Sequence, residues 1–103
     1  MGKNSAIRSL SKCIGNIVMH KILAIYTNKP ESKNHLETEI IEYSSNSLEK
    51  SQEYSWSEED ILIIKEKAIK RIENLSKNYP DVKYKKDDIS RLLKETMEEL
   101  MLR

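Results

Sequence analysis

Two histidines, a run of carboxylates and a single thiol are the residues of this chain whose types suit chemistry. His35, Glu39 and Glu42 fall at i, i+4 and i+7, so a helix carries them on one face. His20 belongs to an earlier segment and reaches that face if the two helices pack antiparallel. Imidazole with carboxylates can ligate zinc, manganese or iron. The pattern lacks the paired Glu-x-x-His of di-metal bundles, and an acidic helix produces such stripes by chance. The expectation is a solvated edge, with no metal and no other cofactor. Cys13 and His20 also share a face, but two turns separate them, ~10 Å by helix rise, too far for a thiol–imidazole nucleophile. Glycine occurs only at 2 and 15, so no phosphate-cradling loop is available. The chain is expected not to be an enzyme.

Charge offers a different chemistry. Residues 65–86 hold eight bases against three acids, with Tyr79 and Tyr84 interleaved. Clustered bases on one face attract phosphates, and aromatic rings can stack on bases. The candidate nucleic-acid contacts are Lys67, Lys70, Arg71, Lys77, Lys83, Lys85 and Lys86; the first four share a helix face. The competing reading is a face kept lysine-rich for solubility, and a net charge of only +1 favours it. That charge is unevenly spread: residues 1–30 carry +5, residues 31–60 carry −7 and residues 61–103 carry +3. A basic first segment followed by an acidic one predicts antiparallel neighbours with complementary surfaces.

The elements that must position these groups are helices. Few breakers and many Lys, Glu, Ile and Leu argue against strands. The expected fold is all-α, a small bundle of about four helices over 5–27, 31–53, 57–79 and 86–102. Residues 1–103 form a single helical domain, with a loose arm at 1–4 and a linker at 49–55. The clearest element is 57–79. Ser57 caps it, Asp60 closes a capping box, and Trp56 with Ile61 has the spacing of a hydrophobic staple. Ile64, Ala68, Ile72, Leu75 and Tyr79 continue the apolar face until Pro80. The last helix has Ile89, Leu92, Leu93, Thr96, Met97, Leu100 and Met101 on its apolar side. Tyr84 stands to Ile89 as Trp56 stands to Ile61, a repeated way of starting a helix. These last two helices are expected to be the most stable part. The second helix has a thin stripe, Leu36, Ile40, Tyr43 and Leu48, and Ser44–Ser47 should fray it. Val82 and Tyr84 alternate with lysines, which fits a short extended piece.

Residues 5–27 carry the broadest apolar surface: Ile7, Leu10, Ile14, Ile17, Val18, Leu23 and Ile25. Gly15 interrupts it at a cost of about 1 kcal/mol relative to alanine. Asn16, His20 and Lys21 break its most apolar window, so a membrane span is not expected. An acid-free basic start also fits an organelle transit segment, but a structural helix is the favoured reading. The single cysteine fits a reducing compartment, and a cytoplasmic location is expected.

Three short stretches resemble known families. The segment from Trp56 to Asp60, with Ile64 and Ala68, resembles the opening of a Myb/SANT repeat, whose later tryptophans are absent. Val82 to Ile89 resembles the loop before the last helix of histone folds; the preceding helix is two turns too short. The acids of 37–42 are similar to those of all-helical nucleotide pyrophosphohydrolases, without the second ExxD half, so no activity carries over. The leading expectation is a regulatory, non-enzymatic interaction module. It associates with a second copy or a protein partner through Ile7, Leu10, Ile14, Ile17 and Leu23. A small nucleic-acid-binding regulator is the alternative.

Overall fold

The computed structural model describes residues 2–27, 29–100 and 102, and the chain is all-α. Helix α1 spans Lys3–Tyr26, α2 Pro30–Gln52, α3 Glu58–Ser76 and α4 Lys86–Glu99. The radius of gyration, 13.4 Å, is that of a packed chain of this length, ~13 Å.

Helix α1 is the hub, and each of the other three packs on it. His20 meets Glu39 while Lys50 meets Ser9, so α2 runs antiparallel to α1. Lys3 meets Asp60 while Asn16 meets Arg71, so α3 runs parallel to it. Tyr26 meets Asp88 while Lys21 meets Glu99, so α4 is antiparallel again. The sequence reading placed the most stable part in α3 and α4. The substantial helix contacts among the described residues all include α1, so α3 and α4 are joined through it.

This arrangement answers the excess of apolar residues near the amino end. Leu10, Ile14, Ile17, Val18 and Ile22 are fully buried, and Ile7 is 5% exposed. A helix that is apolar nearly all round belongs inside, and three neighbours cover what one thin neighbour could not. Ile7, Leu10, Ile14 and Ile17, expected to face a partner, are therefore buried within their own chain. Only Leu23 of that set stays half-buried.

Gly15 lies where α1 and α3 cross. A Cβ there would stand 2.5 Å from Arg71 Cγ, 2.7 Å from Arg71 Cβ and 3.2 Å from the Ala68 carbonyl oxygen. Glycine is thus the residue that lets the arginine stem lie across α1.

Several boundaries differ from the sequence reading. The serine run stays helical and α2 reaches Gln52, because Ser47 and Ser51 are buried, a tertiary contact that overrides weak propensity. The expected linker is consequently short. Helix α3 stops at Ser76 rather than Tyr79. Asn78 and Tyr79 donate three residues back, to Leu75 and Ser76, in a tightened turn, and the residue before a proline is pushed out of the helical region. Helix α4 stops at Glu99, and Leu102 turns back into the core with its N–H on the Met97 carbonyl. Residues 82–85, read as a short extended piece, belong to no regular element, and Lys85 has extended backbone angles. Of the arm at 1–4, residues 3 and 4 are in α1, and residue 1 lies outside the described residues, as does Met101.

Candidate functional site

The two repeated helix starts fix the ends of α1. Asp60 accepts from the Ser57 N–H, and the Ser57 hydroxyl accepts from the Asp60 N–H, both at 3.0 Å, closing the capping box. Asp88 accepts from the Lys85 N–H at 3.1 Å. Each carboxylate also takes a group from α1: Lys3 Nζ lies 2.6 Å from Asp60 and the Tyr26 hydroxyl 2.7 Å from Asp88. The Lys3 hydrogen bond, then that from the Ser57 backbone, holds Asp60 below the usual carboxylate range. The Tyr26 hydrogen bond, then that from the Lys85 backbone, does the same for Asp88, and Tyr26 is raised in turn by that bond. The basic α1 therefore finds acids on α3 and α4. Lys21 confirms the pattern, reaching Glu99, Glu95 and the Thr96 hydroxyl. The complement expected between α1 and α2 is a smaller part of the charge pairing.

One such pair does join α1 to α2. His20 Nε2 is 2.6 Å from Glu39 Oε2, and His35 Nε2 is 3.1 Å from Glu39 Oε1. The antiparallel packing thus brings His20 to the acidic stripe, while Glu42 stays exposed. The two imidazoles sit on opposite oxygens of one carboxylate. Among the described residues no group of three or more His, Cys, Asp or Glu side chains is placed to hold a metal ion. Cys13 is half-buried; its Sγ lies 3.9 Å from Lys50 Nζ, whose closer partner is the Ser9 hydroxyl at 2.6 Å.

At the carboxyl end of α1 a hollow of about 540 Å³ opens to solvent. Leu23 and Tyr26 of α1, Leu36 of α2, and Tyr79 and Val82 of the α3–α4 connection supply its apolar walls; Glu31 and His35 stand among its polar lining. Tyr26 and Tyr79 are 39% and 41% exposed. Sequence reasoning found Leu23, Leu36, Tyr79 and Val82 as separate members of four segments. Nothing in their spacing announces that they converge, because the meeting depends on where two connections bring the chain back.

The basic set divides. Lys67, Lys70, Lys77, Lys83, Lys85 and Lys86 are exposed, and their ammonium groups form no ion pair among the described residues. Arg71 is half-buried, its stem over Gly15 and its Nε donating to Asn16 Oδ1 at 3.1 Å. It is a packing residue of the α1–α3 crossing. Among the described residues no helix is long and apolar enough to cross a membrane. Comparison with protein-family models, curated proteins and solved structures gave no match, so the reading of function rests on the chain's own geometry.

Proposed function

We propose that this protein is a non-enzymatic interaction module that takes a protein partner, or a second copy, at the carboxyl end of its first helix. The observation that carries the reading is the apolar hollow walled by Leu23, Tyr26, Leu36, Tyr79 and Val82, with Tyr26 and Tyr79 partly exposed. Single exposed apolar residues are ordinary on protein surfaces; several gathered around a concavity are a common mark of binding. Of the residues expected at an interface, Leu23 lines this hollow, while Ile7, Leu10, Ile14 and Ile17 are buried in the chain's own core. The test is photo-crosslinking from a reactive residue placed at 79, with position 62, exposed but outside the hollow, as control. The expected result is an adduct from 79 with a protein or a second copy and none from 62. No adduct from 79 in the source cell removes the reading.

A second reading has its own observation, the six exposed lysines from Lys67 to Lys86 that form no ion pair among the described residues. A phosphate-binding face predicts retention on DNA or RNA that falls steeply as salt rises. Lys67→Glu with Lys70→Glu should abolish that retention without loss of helicity, and Arg71 is avoided because it packs on Gly15. Wild-type protein that passes through a nucleic-acid column at low salt rules this reading out.

A further inference from the structure

The contact between α1 and α2 holds an arrangement that the docking hollow does not require. The His20 side chain lies between the two helices, 19% exposed. Its Nδ1 is 2.6 Å from the carbonyl oxygen of Asn16, one turn back on α1, and its Nε2 is 2.6 Å from Glu39 Oε2 on α2. A carbonyl and a carboxylate only accept. A neutral imidazole has one N–H and one lone pair, and so serves one of them; an imidazolium donates to both. The Tyr43 ring lies beside the imidazole, centroids 5.6 Å apart.

Helix α2 lies along α1 over much of its length, but it buries no apolar side chain fully. Its buried residues are Ser47 and Ser51, and its substantial contacts among the described residues are with α1 alone. Ser47 Oγ is buried without a hydrogen-bond partner among the described residues, which costs stability at that seam. Under α2 runs the stripe Ser9, Cys13, Ile17 and His20, spaced by four, four and three residues. Ser9, Cys13 and His20 each meet an α2 side chain. Ile17 between them is fully buried, yet separate from the main core cluster.

We propose that α2 is a displaceable cover on this stripe and that His20 is its proton-operated latch, closed when the imidazole is charged and loosened when it is neutral. The charged and titratable groups around the latch fit that role. Glu39 faces His20 from α2 and shares its other oxygen with His35. On the α3 side, Arg71 engages the Asn16 side chain, leaving the Asn16 carbonyl to His20. On the α4 side, Glu95 and Glu99 are taken by Lys21. The direction follows: the grip is strongest on the acid side and declines as pH rises and the imidazole loses its second proton.

The test is amide hydrogen exchange of the whole chain at about pH 5 and about pH 8, the range over which histidine changes charge. Protection of α2 is read as a ratio to α3 in the same molecule, which removes the intrinsic pH dependence of exchange. The ratio should fall about tenfold across this range, the scale of one hydrogen bond to a charged group. His20→Gln should flatten the response. Glu39→Gln should flatten it too, because an amide can accept from the charged ring and donate to the neutral one. His35→Gln should leave it intact. A wild-type ratio that does not change with pH overturns the proposal, as does a response that survives His20→Gln or disappears in His35→Gln. If His20→Gln unfolds the chain, seen as lost α3 protection, Glu39→Gln decides by the same criterion.

Discussion

Gly15 reads oppositely in one dimension and in three. Along the chain it is a helix defect, and replacing it with alanine should add up to about 1 kcal/mol of stability. In the folded molecule the added methyl meets Arg71 Cβ and Cγ and the Ala68 carbonyl, all closer than real Cβ contacts allow without movement. Arg71 cannot simply swing away, because the clash involves the root of its side chain and its Nε holds Asn16. Overpacking of this kind costs about 1–3 kcal/mol, so the steric term should win. Gly15→Ala is expected to lower the urea midpoint, and a raised midpoint would show that α1 and α3 separate freely there. A glycine in a helical pattern signals that something comes close; the sequence does not say which residue does.

At the scale of elements, the starts of α3 and α4 were legible because capping chemistry is local. Ser57, Asp60 and the Trp56–Ile61 spacing lie within six residues, and the capping box forms as read. What the local pattern leaves out is that α1 reaches both starts, through Lys3 and Tyr26. These contacts make a pH prediction. Asp60 and Asp88 are held below their ordinary value of 3.8. Their contribution is therefore full above that value and is lost as pH falls through the lower folded-state values. Tyr26 is raised above its ordinary 10.0, so its contribution holds below that value and is lost as pH climbs past it. In a carboxyl NMR titration, Tyr26→Phe should return Asp88 toward 3.8 and leave Asp60 unmoved. Equal movement of both carboxylates would mean that the two ends of α1 are not pinned independently. The ends of α2, α3 and α4 were less legible. They depend on burial of Ser47 and Ser51, on the turn before Pro80, and on the return of Leu102 to the core.

For the whole molecule, the central position of α1 changes what a substitution there means. Ile17→Asp places a charge at a fully buried site, where an unpaired carboxylate costs far more than a marginal fold can spare. It should abolish the helical circular-dichroism signal and cooperative unfolding, rather than convert a folded dimer to a folded monomer. Leu23→Asp, at the half-buried rim of the hollow, should retain both. If Ile17→Asp stays folded and only its sedimentation changes, Ile17 faces another molecule and α2 does not cover it. The candidate docking site sits where α1, α2 and the α3–α4 connection meet. It is therefore a property of the assembled chain, and each of its walls looked like ordinary core from within its own segment.

By itself the sequence determined four helices, the capped start of α3, the repeated start of α4 and the apolar wealth of α1, because period, capping and breaker residues act within a turn or two of chain. Only the tertiary structure decided that three helices share α1 as their centre, that Arg71 packs instead of facing solvent, and that Leu23, Leu36, Tyr79 and Val82 come together. Those outcomes depend on contacts between residues far apart in the chain, and hydrophobic burial specifies how much surface must be covered without naming the neighbour that covers it.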